Sequence, residues 1–187
     1  MTRITLVMVI ALFAGFSASA QIPNFTLLNS IDGKSVSLND YKSSPGLVIV
    51  FVSTSCPYDS YYYNRIGKFI ADQKGKLEVV LVNPNVSESS DVMKNKMHEL
   101  GITSPYLIDK DQALMRSLGA TKTPEVFVLK NHGGQFSIFY KGAIDDNAQV
   151  ETDVSKRYLN DSVVALLAGQ NPEQSEVRPV GCNIRKK

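Results

Sequence analysis

Leu47-Val-Ile-Val-Phe-Val-Ser53 is a continuous β-rich run with no polar residue before its last position. A segment of this kind reads as a central strand covered on both faces, not as a half-wet strand that alternates apolar and polar residues. A strand buried on both faces belongs in a sheet with helices packed on either side, so the rest of the chain must supply them.

The flanking segments do so. Phe25-Thr-Leu-Leu-Asn29 and Ser35-Val-Ser-Leu38 surround the turn pair Asp32-Gly33 and read as an N-terminal hairpin. Pro57 stands where helices begin, because the N–H it lacks would be unpaired there anyway. A helix over 57–73 would turn Tyr62, Ile66, Phe69 and Ile70 to one face. Glu78 to Asn83 is a second buried strand, Ser90 to Leu100 a helix stopped by Gly101, and Tyr106 to Ile108 a short strand. A short helix over 112–118 precedes Gly119. Glu125 to Leu129 and Phe136 to Tyr140 then flank His132-Gly-Gly as an antiparallel hairpin. A last helix is expected over 154–168, and residues 170–187 read as an extended, mobile, polar tail carrying Cys182. The order predicts an α/β fold with a central mixed β-sheet flanked by helices.

Composition narrows the chemistry. A net charge of +2 gives no concentrated basic face, so nucleic acid is not an expected partner. Two cysteines are too few for a disulfide scaffold or a four-thiolate zinc site, and His98 and His132 make no histidine-rich metal site. No metal or cofactor is implied. Residues 1–20 have the pattern of a cleaved signal peptide: Arg3, an apolar run from Ile4 to Phe16, then Ser17-Ala-Ser-Ala20 before Gln21. The run is too short to span a bilayer comfortably, so no stable membrane anchor is expected and the protein reads as exported, periplasmic or secreted. Its domain would then span 21–169. Cys56 and Cys182 would meet a compartment where disulfides persist.

Ser53-Thr-Ser-Cys56-Pro57-Tyr58 places a cysteine between the end of the buried strand and the start of a helix. The unpaired N–H groups and positive dipole end of that helix favour thiolate over thiol. Cysteines so placed titrate below the free value of about 8.5. The hydroxyls of Ser53, Thr54 and Ser55 are candidates to stabilise negative sulfur, and a small buried apolar cysteine is the alternative reading.

The N-terminal hairpin, the Cys56-Pro57 junction and Thr123-Pro124 ahead of the closing hairpin resemble the thioredoxin-like fold. Within it the chain is similar to the redoxin, or AhpC/TSA, peroxiredoxin-like branch. The marks of the resemblance run in order through Cys56-Pro57-Tyr58, Tyr62, Arg65, Asn83-Pro84, Pro105-Tyr106-Leu107, Gly119-Ala-Thr121, Thr123-Pro124, Gly142, Asp145-Asp146, Leu166-Leu-Ala-Gly169 and Gly181-Cys182. The resemblance implies that Cys56 is the reactive cysteine, supported by Ser53 and Pro57. It implies that Pro124 is the cis-proline beside that cysteine, with Thr123 presenting its backbone to an extended thiol substrate. Three features depart from the pattern. The chain lacks a C-x-x-C pair ending at Cys56. Ile49 stands where peroxiredoxins carry a proline. Glu125 follows Pro124 where an arginine would be sought, and Arg65, nine residues along the helix, reads as a surface or packing residue.

Cys182 lies 126 positions after Cys56. A bridge between them would constrain the unfolded chain by roughly 5 kcal/mol. Cys182 can be a resolving thiol, a structural partner or an unpaired cysteine. Tyr61-Tyr62-Tyr63 is read as partial packing beneath the helix and Asp145-Asp146 as a solvated turn. The Asn24, Asn85 and Asn160 glycosylation patterns are of a kind that arises by chance. The leading expectation is a thiol oxidoreductase that takes a peroxide or disulfide substrate at Cys56 and depends on an external, thioredoxin-like thiol reductant. The rival is a non-catalytic binding module with a structural Cys56–Cys182 disulfide.

Overall fold

The computed structural model describes residues 21–187; the leader expected over residues 1–20 lies outside the described residues. In chain order the elements are β1 Thr26–Asn29, β2 Ser35–Ser37, β3 Gly46–Phe51, α1 Pro57–Gln73, β4 Glu78–Asn83, α2 Ser90–Glu99, β5 Tyr106–Ile108, α3 Ala113–Leu118, β6 Lys122–Thr123, β7 Glu125–His132, β8 Gln135–Gly142, α4 Tyr158–Leu167, β9 Glu176–Val177 and β10 Cys182–Asn183.

Leu47 to Val52 are all fully buried. Because side chains alternate across a strand, the run divides between two cores. Val48, Val50 and Val52 join Tyr62, Ile66 and Phe69 of α1, Met93 and Met97 of α2, and Leu159 and Val163 of α4. Leu47, Ile49 and Phe51 face the other layer, with Leu114 and Leu118 of α3, Ile22 and Leu38. Each such aliphatic side chain contributes about 1.5–3 kcal/mol by leaving water. The strand order is β2-β1-β5-β4-β3-β7-β8-β9. β3 runs parallel to β4 and antiparallel to β7. The register pairs Phe51 with Val82 on one side and with Glu125 on the other. It therefore gathers the C-terminal ends of β3 and β4 and the start of β7 at one rim of the sheet. This is the mixed, helix-flanked α/β sheet expected from the sequence.

Three expectations are corrected. The last helix starts at Tyr158, not 154, because the Asp146 carboxylate accepts the Ser155 N–H at 2.9 Å and Lys156 O accepts the Asp146 N–H at 3.2 Å, tying the preceding residues to a loop. Asp145 is not solvated: it is buried and accepts from Tyr62 Oη at 2.9 Å and Arg65 Nη1 at 2.8 Å. Asp146 alone is exposed. Arg65 is accordingly a packing residue. Finally, the tail is paired, not free. β9 lies parallel to β8, so close that a Cβ at Gly142 would fall 2.7 Å from the Val177 carbonyl carbon. β10 lies antiparallel to β6. Main-chain hydrogen bonds hold this segment, and composition, which reports apolar content, does not register them.

Candidate active site

Cys56 is the N-cap of α1, with Pro57 in the first turn, and the residue is 6 % exposed. Its backbone is extended (φ −89°, ψ 121°), and its side chain makes no capping bond, so the sulfur is left for other contacts. The sulfur is bonded to Cys182, with Cα atoms 6.0 Å apart. It lies 3.3 Å from Thr123 O. A disulfide sulfur has no proton to donate, so this is a contact in the oxidised protein; once reduced, the thiol has an acceptor at that position. The Thr123–Pro124 peptide bond is cis. Thr123 is buried and pairs directly with Cys182 across β6 and β10. Cys56, Cys182, Thr123, Pro124, Pro57 and Ser53 therefore converge at the rim where β3 ends and β7 begins.

The three hydroxyls before Cys56 are arranged differently from the sequence expectation. They serve a carboxylate, Glu88, instead of the sulfur. Glu88 accepts from Ser53 Oγ, from Thr54 N at 2.9 Å and Oγ1 at 2.6 Å, and from Ser55 N at 3.1 Å and Oγ at 2.8 Å. Asn83 Nδ2, at the end of β4, and Asn85 Nδ2 also donate to it, at 2.5 and 2.9 Å. The Asn85 amide of the second glycosylation pattern is thus committed to this network. Burial pushes the Glu88 carboxyl up, but the donors from Ser53, Thr54 and Ser55 outweigh it and hold the group down at about 2.

Asp59, in the first turn of α1, has no exposed surface. Its Oδ2 accepts the Ser53 N–H at 3.0 Å, whereas Oδ1 has no partner. Burial drives this carboxyl up to about 8, against the opposing hydrogen bond from the Ser53 backbone. The nearby Glu88 charge adds to the rise. Tyr63 completes the shell by donating its hydroxyl to Ser53 O at 3.1 Å. Burial likewise pushes the Tyr63 phenol above its ordinary range.

Glu125, where an arginine was sought, is buried and accepts the N–H groups of Thr121 and Lys122 at 2.7 and 2.8 Å. It shapes the turn that leads to Pro124. Gln112 is fully buried at a positive φ of 58°. Its amide donates to Pro84 O at 3.0 Å and Arg185 O at 2.8 Å, and its oxygen accepts the Lys187 N–H at 2.9 Å.

Sequence reasoning missed Asp59, Glu88 and Gln112. An acid in the first turn of a helix is ordinary dipole complementation, so Asp59 gave no separate signal. Glu88 follows the Asn83-Pro84 mark at the carboxyl end of a strand adjacent to β3, where open α/β sheets place their sites, and that rule could have found it. Nothing local distinguishes Gln112.

Among the described residues, no group of three or more His, Cys, Asp or Glu could hold a metal ion, and no helix is long and apolar enough to cross a membrane. The family model described as AhpC/TSA family matches residues 18–134. No curated protein matches the chain. Among solved structures, the chain is similar to a hypothetical protein from Sinorhizobium meliloti 1021, with 27% identity, a TM-score of 0.81, and 92% of this chain and 96% of that one covered. An uncharacterized conserved protein from Geobacillus kaustophilus has 28% identity and a TM-score of 0.81, over 90% of this chain and 92% of that one. A secreted disulfide oxidoreductase from Mycobacterium tuberculosis shares the thioredoxin-like fold at 14% identity and a TM-score of 0.58, over 75% and 95% of the two chains.

Proposed function

The chain belongs to the AhpC/TSA family, and from that premise we propose that it is an exported thiol oxidoreductase with Cys56 as nucleophile and Cys182 as resolving thiol. The observation that carries this reading is the Cys56–Cys182 disulfide at a helix N-terminus beside the cis Thr123–Pro124 bond. The helix end stabilises a Cys56 thiolate, the turn through Pro57 and Ser53 positions it, and Cys182 is within bonding reach. Export is supported by the leader pattern of residues 1–20.

Two oxidants fit the thiolate. With a peroxide, sulfur attacks one oxygen, the O–O bond breaks, an alcohol or water leaves, and Cys56 becomes a sulfenic acid. The Cys182 thiol then condenses with it, losing water and forming the disulfide. With a disulfide substrate, Cys56 displaces one thiolate and forms a mixed disulfide, which Cys182 resolves by displacing the second. An external thiol donor, thioredoxin-like in kind, returns the pair to the reduced state. Disulfide exchange is favoured, since Glu125 stands beside Pro124 and the Arg65 guanidinium is held by Asp145 at 2.8 Å, leaving neither to activate a peroxide.

The pairing of the tail with β6 and β8 favours a second reading, a binding module in which the bridge is a staple. Stopped-flow mixing of the reduced protein with hydrogen peroxide and, separately, with a model disulfide decides between them. Oxidation faster than that of a free thiol, lost in Cys56→Ser, supports the enzyme. In Cys182→Ser, first oxidation of Cys56 should persist while the intramolecular disulfide fails to form. By intact mass, the wild type loses two hydrogens and the variant gains oxygen atoms from peroxide. A Cys56 thiol that reacts no faster than free cysteine would leave only the staple.

A further inference from the structure

The C-terminal segment does more than bring a second sulfur to Cys56. Cys182 and Asn183 pair antiparallel with Thr123 and Lys122, completing a two-stranded ladder beside the cis-proline. Ile184 N donates to Thr121 O at 2.9 Å, and the Ile184 side chain packs against the core layer of Leu47, Ile49 and Phe51. Lys122 Nζ donates to Gly181 O at 3.3 Å. Three residues past Cys182, Gln112 takes Arg185 O, and then Lys187 N, on the two ends of one amide. The segment is therefore read mainly through its backbone, from Gly181 to Lys187, by groups of the body of the protein. That is the manner in which an extended peptide adds to a sheet edge, with main-chain bonds giving affinity and a few positions giving selectivity.

One position is selective. A Cβ at Gly181 would overlap Thr123 O and fall 2.7 Å from the Thr123 carbonyl carbon and 3.1 Å from Pro124 N. These are backbone atoms of a buried turn that Glu125 fixes from behind, so they do not give way. Only glycine fits immediately before a cysteine whose sulfur is bonded to Cys56.

We propose that the edge of β6, with Gln112 as its far anchor, is a recognition site for an extended Gly-Cys segment of another polypeptide, and that the chain's own tail is its resident occupant. With the protein reduced and its tail swung out, a partner segment whose cysteine is held in a disulfide binds antiparallel to Lys122–Thr123. The Cys56 thiolate attacks that cysteine's sulfur, the partner's S–S bond breaks, a partner–Cys56 disulfide forms, and the electron pair leaves on the partner's second sulfur as thiolate. The Cys182 thiolate then attacks the Cys56 sulfur, releasing the partner's Gly-Cys cysteine reduced and restoring the closed, disulfide-bonded tail. Tail and partner therefore compete for one slot, and selectivity comes from a clash against every side chain other than glycine. The inference rests on Cys56 being an exchanging thiol.

The test uses the full chain bearing Cys182→Ser, reduced, so that Cys56 is its sole thiol. The probes are a peptide of the sequence Pro179–Lys187 whose cysteine is activated as a thiopyridyl disulfide, the same peptide carrying Gly181→Ala, and dithiodipyridine alone. Cys56 should release thiopyridone from the glycine peptide roughly tenfold faster or more than from the alanine peptide. Adding Gly181→Ala to the protein itself should further speed the glycine peptide, because the resident tail then competes less well. Equal rates for the two peptides, with dithiodipyridine reacting normally, would overturn the recognition site while leaving the exchange chemistry intact. A Cys56 that reacts with dithiodipyridine no faster than free cysteine would instead overturn the exchange chemistry on which the site depends.

Discussion

Asp59 and Glu88 both hold Ser53, one from the first turn of α1 and one from the loop between β4 and α2, yet their surroundings drive them in opposite directions. Glu88 is cradled by backbone and side-chain donors from Ser53 to Ser55 and by two asparagine amides, so it stays ionised down to about 2. Asp59 has the Ser53 N–H on one oxygen and nothing on the other, so desolvation wins and it holds its proton up to about 8. Burial is common to both; the number of donors decides the charge. The turn before Cys56 is thus bracketed by a fixed anion on one side and a neutral, proton-bearing acid on the other.

Removing the anion should have the largest effect. Glu88→Ala leaves several buried donors without an acceptor and should lower the stability of the oxidised protein by about 3 kcal/mol in urea unfolding at pH 7. A loss under 1 kcal/mol would mean that water replaces the carboxylate without penalty. Ser53→Ala removes one charge-assisted donor while keeping the backbone N–H on Asp59. It should cost about 2 kcal/mol and raise the pH of acid unfolding. That direction follows from the lowered carboxyl: Glu88 contributes stability above its ordinary 4.5, and this is lost as pH falls from there towards about 2.

Asp59→Asn probes the opposite branch. With its carboxyl raised from 3.8 to about 8, Asp59 contributes stability that is fully present below pH 3.8 and is lost as pH rises towards 8. The variant should flatten that decline, gaining at pH 8 relative to pH 4 at least about 1.4 kcal/mol over the wild type, the equivalent of one unit of displacement. Unfolding of the oxidised proteins at both pH values checks it, since the disulfide removes thiol titration. Parallel profiles would show that Asp59 ionises normally. The smallest change is Tyr63→Phe, which frees Ser53 O and should cost about 1 kcal/mol, with little effect on either pH branch.

Both acids escaped the sequence for a reason that also separates the readable from the unreadable parts of the fold. The helix over 57–73 and the strand over 78–83 carry their own boundary signals, Pro57 at one end and Pro84 at the other, and the structure has them at those bounds. In sequence Asp145 reads as solvated because its partners, Tyr62 and Arg65, lie some eighty positions away. The pattern extends the last helix too far because the bond that unwinds residues 154–157 comes from Asp146, across a loop. The tail reads as mobile because the groups that hold it, Thr121, Thr123 and Gln112, belong to other elements.

The sequence by itself determined the layered α/β arrangement, since an apolar run with no polar face can be satisfied only by cover on both sides. It also determined that Cys56 stands at a helix start, because a cysteine between such a strand and a Pro-led helix meets unpaired N–H groups wherever the rest of the chain goes. Only the tertiary structure decided the charge of the acids around that cysteine and the path of the tail that closes on it. A carboxylate's proton depends on how many donors surround it, and an extended segment's place on which sheet edge is open to its backbone. Both are set by residues distant in sequence, whose approach no local pattern encodes.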